Sequence, residues 1–325
     1  MENGGSCEAG APVSDDILLA PYYYIRRMPG KQIRSELSRA FNYWLEIEEV
    51  KLNTIMELVE MLHNASLMVD DIEDSSVLRR GLPVTHNVYG IPATINAANY
   101  VYFMALSKCL QLGHPRAIEI FTEQMLELHR GQGKELHWRD THTCPSESEY
   151  DLMVKQKTGG LFSLAVQLMQ LFSTCTSDFV DLINNLAVYF QIRDDYINLT
   201  STEYAKQKSF AEDLTEGKFS YPIISALTPG RDKNDEIITI LRRRTTDNDV
   251  KKYCISLIEE RGGFRSTEEK LVTVMADIER NIRALPKNPL LEFLVKKINI
   301  MADQGKNAQC NNGEDHVVQQ KQPEH

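Results

Sequence analysis

Residues 51–74 read KLNTIMELVEMLHNASLMVDDIED, and this stretch contains neither Gly nor Pro. Its apolar and small residues recur at steps of three and four, at Leu52, Ile55, Met56, Val59, Leu62, Ser66 and Val69. That spacing is the period of an α-helix with one buried face. We therefore predict an amphipathic helix over 51–74 that ends in a cluster of carboxylates.

The carboxylates at the end of this helix, in the motif DDIED at 70–74, are spaced to share a face. Each residue of a helix turns by about 100°, so Asp70 and Asp74 stack on one side. His63 shares that side, and Asp71 lies about a quarter turn away. Like charges stacked in this way repel one another. A solvated helix end would explain the motif alone, but a bound hard cation would offset the repulsion.

A second polar face interrupts the apolar run VYFQI at 188–192. Its polar positions fall at i, i+3, i+4 and i+7, and they are Gln191, Asp194, Asp195 and Asn198. Carboxylates in an apolar run would be partly buried and would need partners. Two such helices facing each other across a bundle can hold metal ions. The two motifs together favour Mg²⁺, which prefers carboxylate and phosphate oxygens.

The rest of the chain also has a helical pattern. Gly and Pro clusters interrupt it, and the runs between them are too long for strands. Ser146 and Glu149 have the spacing of a capping box at the start of a helix. Because we see no alternating strand pattern of useful length, we predict an all-α fold, a single large helical bundle.

Composition limits the classes of function. The chain has 325 residues and a formal net charge of −10, which argues against a general nucleic-acid binder because phosphate contacts need surplus Lys and Arg. The six cysteines form no Cys-x-x-Cys pair, so we expect reduced thiols and no structural zinc. The first fifteen residues lack the features of a targeting sequence. We expect a cytoplasmic protein without a transmembrane segment.

The polarity of the two ends suggests three parts. The N-terminal end is rich in Gly, the C-terminal end is rich in Gln and Asn, and both are polar and poor in β-branched and aromatic residues, a composition typical of disorder. We predict a disordered N-terminal segment at 1–15, one helical domain at 16–301 and a disordered C-terminal tail at 302–325.

Basic residues supply the charge that an anionic substrate would need. They occur in pairs or near glycines, at Lys31, Arg34, Arg79, Arg80, Lys157, Lys208 and Lys218. Each alone is more often a solvated surface charge. A site that collects several phosphate charges needs such cations beside any metal ion, and Arg forks match phosphate oxygens.

These residues resemble the trans-type isoprenyl diphosphate synthases, and most closely the geranylgeranyl diphosphate synthases of animals and fungi. The resemblance runs from about residue 18 to residue 300. Its motifs are PGKQIR at 29–34, MLHNASL at 61–67, DDIEDSSVLRRGLP at 70–83, GQG at 131–133, WRD at 138–140, QKTGG at 156–160, FQIRDD at 190–195 and EDLTEGK at 212–218. It implies a bundle of the isoprenoid synthase type with a central active-site cavity. Asn198 is one difference, since many members carry Asp there.

The resemblance also implies roles in a sequence of ionisation, condensation and elimination. Mg²⁺, three ions when substrate is bound, would be held by Asp70, Asp74 and Asp194. The allylic diphosphate would be bound by Arg79, Lys157, Thr158, Gln191, Lys208 and Lys218. Isopentenyl diphosphate would be bound by Lys31, Arg34, His63 and Arg80. Asp71, Asp195 and Asn198 would support these groups. No protein general base is assigned, because the leaving diphosphate would take the proton.

Product length is predicted from residues about one turn before the first motif. Shorter-chain relatives often place aromatic rings there, whereas this chain has Ala65 and Ser66. The resemblance to the animal and fungal group implies that bulky residues on neighbouring helices form the floor, here Tyr102, Phe103 and His129. A plain core role for Tyr102 and Phe103 is the alternative. This pattern favours a twenty-carbon product over fifteen.

The leading hypothesis is a geranylgeranyl diphosphate synthase that serves isoprenoid biosynthesis and protein prenylation. It would use chiefly farnesyl diphosphate, and also dimethylallyl or geranyl diphosphate. The alternatives are a farnesyl diphosphate synthase, a terpene synthase derived from this fold, or a non-catalytic prenyl synthase subunit. A terpene synthase would not need the isopentenyl-side cations, and a non-catalytic subunit would commonly lack one aspartate motif. The resemblance further implies a homodimer or higher homo-oligomer.

Overall fold

The computed structural model describes residues 14–28, 30, 33–201, 210–227 and 235–299. Over these residues the chain is helical apart from loops, turns and one short hairpin, so the predicted all-α fold is confirmed. The helices are α1 (Asp15–Leu18), α2 (Ala20–Arg26), α3 (Ile33–Leu45), α4 (Glu49–Glu73), α5 (Thr85–Tyr89), α6 (Ile91–Leu110), α7 (Ala117–Thr141), α8 (Glu147–Lys157), α9 (Gly159–Gln170), α10 (Val180–Thr200), α11 (Glu212–Glu216), α12 (Tyr221–Ala226), α13 (Glu236–Arg243), α14 (Asn248–Glu260), α15 (Gly263–Arg283) and α16 (Pro289–Ile298).

Helix α4 covers the predicted amphipathic stretch as far as Glu73, and Asp74 is its C-cap. Leu52, Ile55 and Leu62 are almost fully buried, as the periodicity predicts, and α4 packs against α6. Met56 and Val69, which belong to the same stripe, instead line a cavity. One edge of the apolar face of α4 therefore packs in the core, and the other edge forms part of the cavity wall.

A hairpin of strands β1 (Leu78–Arg79) and β2 (Leu82–Pro83) follows α4. Its two loop residues, Arg80 and Gly81, have φ values of 54° and 80°, the left-handed conformations that a tight two-residue loop favours. Glycine adopts such a conformation freely, whereas Arg80 incurs a steric cost. The turn brings Arg79 and Arg80 to the wall of the cavity.

The one helix start predicted from a motif is present in the structure. The backbone N–H of Glu149 donates to Ser146 Oγ at 3.3 Å, and the N–H of Ser146 donates to Glu149 Oε2 at 2.8 Å. This is the predicted capping box, and it starts α8. Helix α8 packs against α7 and α10, and α10 carries the second acidic motif. One cluster of buried apolar residues extends from Leu19 to Ile298.

The predicted ends of the chain lie mostly outside the described residues. Of 1–15 only Ser14 and Asp15 are described, and α1 begins at Asp15. The tail at 302–325 lies wholly outside them. The three-part division therefore stays a prediction. Within the ranges that the structure describes, no helix has the length and apolar character needed to cross a membrane.

Candidate active site

The cavity beside α4 has a volume of about 510 Å³, which is in the range of small-molecule sites. Most residues predicted for the site line it, and they are Arg34, His63, Ser66, Asp70, Asp74, Arg79, Arg80, Tyr102, His129, Lys157, Thr158, Gln191, Asp194 and Lys218. Ala65 and Phe103 are not part of its wall. Lys31 and Lys208 lie outside the described residues.

The carboxylates of the first motif that line the cavity lie against basic side chains. Asp70 has one oxygen 3.4 Å from Arg79 Nη2 and the other 3.3 Å from Lys157 Nζ. Arg139 Nη1 donates to Asp74 Oδ1 at 2.8 Å. Burial, together with the charge of Asp70, raises the pKa of Asp74 well above its ordinary value. Because burial and a neighbouring carboxylate both disfavour the ionised form of Asp74, added positive charge beside it would be favoured.

Asp71 differs from its neighbours because only 1% of it is exposed. Arg79 Nε donates to Asp71 Oδ1 at 2.7 Å, and Arg79 Nη2 lies 2.6 Å from the same oxygen. Burial by itself would lower the pKa of Arg79, but the charge and hydrogen bond of Asp71 raise it overall. Asp71 thus anchors Arg79 at the cavity wall. This contact is consistent with the prediction that Asp71 assists the binding groups and does not bind the metal ion itself.

Asp194 and Asp195 are adjacent on α10 but have opposite environments. Asp194 is exposed and lines the cavity. Asp195 is 1% exposed, and its Oδ2 accepts hydrogen bonds from the Tyr150 hydroxyl at 2.6 Å and the Tyr221 N–H at 2.9 Å. Its Oδ1 accepts from Gln191 Nε2 at 2.9 Å. Asp195 therefore joins α8, α10 and α12, whereas Asp194 lies at the cavity wall.

Asn198 is the last polar residue of the second motif, and it does not line the cavity. It is 5% exposed, and its side-chain oxygen accepts a hydrogen bond from the backbone N–H of Asp213 at 3.2 Å. This contact joins α10 to α11, the helix that precedes Lys218. The geometry supports the prediction that Asn198 is a supporting residue.

The two described lysines of the predicted allylic site share a carboxylate partner. Glu135 of α7 contacts Lys157 Nζ through Oε2 and lies 3.5 Å from Lys218 Nζ through Oε1. Burial opposes the charge of both lysines, but neighbouring carboxylates, Asp70 and Glu135 for Lys157 and Asp195 and Glu135 for Lys218, raise both pKa values. Both ammonium groups are therefore charged at neutral pH.

A second cluster of positive charge forms the predicted isopentenyl diphosphate side. Arg34 Nη1 lies 2.9 Å from His63 Nε2. Burial and the charge of Arg80 lower the pKa of Arg34 to about 10, and burial followed by the Arg34 charge lowers the pKa of His63 well below its ordinary value. His63 is therefore neutral and accepts a hydrogen bond from Arg34. Arg80 Nη1 donates to the Met28 carbonyl at 2.7 Å. An anion here would relieve the mutual repulsion of the two guanidinium groups.

One face of α7 contributes residues to which the sequence reasoning gave no role. Gln132, Glu135 and Arg139 are spaced i, i+3 and i+7 along this helix. Gln132 Nε2 donates to Asp70 Oδ1 at 3.2 Å and to Glu73 Oε2 at 2.7 Å. The helical spacing was an available signal, but polar residues at that spacing are equally typical of a solvated face.

Gly131 of α7 is buried where this helix meets the end of α8. A Cβ at Gly131 would lie 2.5 Å from the backbone N of Lys157, whereas a Cβ at Gly133 would meet nothing within 4 Å. We expect Gly131→Ala to lower the free energy of unfolding by about 1–3 kcal/mol, because the helices must separate. Gly133→Ala should raise it by up to about 1 kcal/mol, because Ala favours a helix. Chemical denaturation measures both, and equal shifts would contradict the expectation.

The residues predicted to set product length are only partly brought together. Ser66 and Tyr102 line the cavity, and the rings of Tyr102 and His129 meet edge to face with centroids 6.0 Å apart. Ala65 and Phe103 do not line the cavity: Ala65 is fully buried in the core, and Phe103 is 69% exposed on the surface. One residue turns a helix by about 100°, so each lies on a different face from its lining neighbour.

The donor set suits an ion that arrives with a phosphate ligand. Among the residues described, no three His, Cys, Asp or Glu side chains are close enough to hold a metal ion by themselves. Mg²⁺ usually takes one or two protein carboxylates and completes its coordination with water and substrate phosphate. Asp70, Asp74 and Asp194 come from two parts of the chain that line one cavity, which fits this mode of binding.

Comparison with known proteins identifies the family. The family model for polyprenyl synthetase matches residues 15–258. A terpene synthase of Matsumurasca onukii is 54% identical over 284 residues, covering 87% of this chain and 93% of that protein. Geranylgeranyl pyrophosphate synthase dpfgD of Gibberella zeae is 54% identical over 263 residues, covering 81% and 71%. The geranylgeranyl pyrophosphate synthase of Dictyostelium discoideum is 47% identical over 286 residues, covering 88% and 94%. With its two acidic motifs and two basic clusters around one cavity, the chain belongs to the polyprenyl synthetase family.

Proposed function

We propose that this protein is a geranylgeranyl diphosphate synthase, which condenses isopentenyl diphosphate with an allylic diphosphate, chiefly farnesyl diphosphate. The observation that carries this proposal is the presence of two basic clusters in one cavity. Arg79, Lys157 and Lys218 lie beside the acidic motifs, and Arg34 and Arg80 form a separate group around His63. Two clusters of this kind suit two diphosphate substrates. The names of several relatives support the same activity.

The residues divide the chemistry between them. Enzymes of this family generally depend on Mg²⁺, and Asp70, Asp74 and Asp194 would hold it, three ions in all, to help draw the diphosphate from the allylic carbon. Lys157 and Lys218 stabilise the charge that develops on the departing diphosphate. The bond between allylic carbon and diphosphate oxygen breaks, and the double bond of isopentenyl diphosphate supplies the electron pair for the new carbon–carbon bond. A proton then leaves the condensed cation for the released diphosphate, which restores a double bond.

Product chromatography with each allylic primer in turn tests the proposal. Purified protein with Mg²⁺, farnesyl diphosphate and isopentenyl diphosphate should form a twenty-carbon diphosphate, identified as the alcohol after dephosphorylation. Dimethylallyl and geranyl diphosphates should serve less well. Chelation of the metal should stop the reaction. If no elongated product forms with any primer, the proposal fails.

A terpene synthase is the second candidate, and the relative from Matsumurasca onukii specifically favours it. That reaction would use an allylic diphosphate alone, so the pairing of Arg34 with His63 beside Arg80 would serve no substrate. Incubation with farnesyl diphosphate alone separates the two activities. A released hydrocarbon or alcohol would support the terpene synthase, whereas unchanged substrate and elongation only with isopentenyl diphosphate would support the synthase proposed here.

Ser66 offers a way to change product length. Its side chain lines the cavity about one turn from Asp70, so an aromatic ring at this position should block the path of the growing chain. We expect Ser66→Phe to shift the main product from twenty to fifteen carbons with dimethylallyl diphosphate as primer. Ser266→Phe, at an exposed position on α15, is the control and should leave the product unchanged. An unaltered product from Ser66→Phe would contradict the expectation that the growing chain passes Ser66.

We further propose a cytoplasmic homodimer or higher homo-oligomer. Ile95, Phe103 and Leu110 are 42%, 69% and 62% exposed on α6, and their spacing places them within about 80° of one another around the helix. An apolar strip of this kind is typical of a contact surface. Light scattering of the purified protein tests the assembly. A monomer at micromolar concentration would contradict it.

A further inference from the structure

A chain of alternating charges at the cavity wall links the first acidic motif to the second. Its members, in order, are Asp70, Lys157, Glu135, Lys218 and Asp195. Lys157 Nζ lies 3.3 Å from Asp70 and also contacts Glu135. Lys218 Nζ lies 3.5 Å from Glu135 and 3.5 Å from Asp195. Glu135 is therefore the carboxylate that both lysines share.

Glu135 acts from outside the cavity. Lys157 and Lys218 line the cavity, whereas Glu135 does not, and it is only 9% exposed. Burial alone would raise the pKa of Glu135, but the two lysines lower it below its ordinary value. The buried side chain is thus a carboxylate, held by the two cations that face the substrate. A buried charge with two partners has little freedom to move.

Glu135 and Asp70 compete for the ammonium group of Lys157. Lys157 lies between Glu135 and Asp70, and the contact with Glu135 is the shorter of the two. If Glu135 lost its charge, Asp70 would become the main partner of Lys157 and Asp195 that of Lys218. The two ammonium groups would also repel each other without the carboxylate between them. An ammonium drawn to Asp70 opposes binding of a metal ion at the same carboxylate.

We propose that Glu135 is a positioning residue, which holds Lys157 and Lys218 for the diphosphate and keeps Lys157 from closing on Asp70. The inference rests on the proposed function, since it assigns a purpose to the diphosphate site. Glu135 is not part of the cavity wall. It acts through the two lysines and through the Asp70 carboxylate.

Binding of inorganic diphosphate tests this without turnover. Calorimetric titration at fixed Mg²⁺ should show at least about ten-fold weaker binding in Glu135→Gln, an effect typical of groups that orient a metal ligand. Loss of a negative charge alone would tighten anion binding, so weaker binding reports the position of the lysines. Glu135→Asp should restore most of the affinity. Glu123→Gln, an exposed substitution on the same helix, should bind like the wild type.

Steady-state kinetics separate positioning from a purely structural role. Glu135→Gln should need a higher Mg²⁺ concentration for half-maximal rate and show a lower kcat, with the KM for isopentenyl diphosphate within about two-fold of wild type. Unchanged or tighter diphosphate binding in Glu135→Gln would overturn the inference. Equal losses of kcat/KM for the allylic diphosphate and for isopentenyl diphosphate would also overturn it, if Glu135→Asp does not restore them. A wild-type protein that binds diphosphate but elongates no primer would refute the proposed function and leave this inference to be judged by the titration.

Discussion

Asp194→Ala is expected to reduce the turnover of the condensation by about a thousand-fold or more, because metal-assisted departure of diphosphate is worth several kcal/mol. The stability of the protein should hardly change. Asp194 is exposed at the cavity, and substitutions at exposed positions usually alter the free energy of unfolding by less than about 0.5 kcal/mol. Single-turnover and steady-state rates with farnesyl and isopentenyl diphosphates measure the first effect, and thermal unfolding measures the second.

Two comparisons make the Asp194 result specific. Asp181→Ala removes an exposed aspartate from the first turn of the same helix, and it should retain turnover within a few-fold. Asp70→Ala should resemble Asp194→Ala, because both aspartates are assigned to the metal. A turnover for Asp194→Ala within ten-fold of wild type would show that this carboxylate does not hold a metal ion that the reaction needs.

Asp195→Ala, at the adjacent position, is expected to affect stability instead. It should lower the free energy of unfolding by about 3–5 kcal/mol. The substitution removes the acceptor for the Tyr150 hydroxyl and the Tyr221 N–H, and it leaves Lys218 with one carboxylate fewer. Buried donors without an acceptor are costly. Urea denaturation followed by circular dichroism measures the loss, which should exceed that of Asp194→Ala by at least about 2 kcal/mol.

Asp195→Asn distinguishes the hydrogen bonds from the charge. The amide oxygen can still accept from Tyr150, but it no longer offsets the charge of Lys218. We expect a smaller loss of stability than in Asp195→Ala, together with reduced turnover because Lys218 is displaced. If Asp194→Ala and Asp195→Ala destabilise the protein equally, the difference in burial between these two aspartates does not make Asp195 the structural one.

The acidic motifs could be recognised without a structure because their signals are local. In α4 and α10 the polar residues recur at helical spacing within one segment, and each helix formed where it was predicted. The capping box of Ser146 and Glu149 is equally local. The rotation of about 100° per residue depends on the backbone alone, so sequence spacing is sufficient to place such groups on one face.

The partners of these groups were decided by packing between distant segments. Asp70 meets Lys157, and Asp195 meets Tyr150 and Tyr221, contacts that no spacing within one helix contains. Glu135 could not be distinguished from a solvated residue of α7 until α8 and the segment after α11 placed a lysine on each side of it.

Phe103 and Ala65 also show that sequence spacing does not determine which residues reach the cavity. The type and position of both residues suggested that they line the cavity. With α4 packed against α6, Ala65 is buried in the core and Phe103 is exposed on the surface. Periodicity therefore established which side chains share a helix face and that two carboxylate motifs exist. Which carboxylate is buried, which cation it meets and which residue reaches the cavity were decided only by tertiary structure, because burial and charge pairing are set by neighbours that are far apart in the chain.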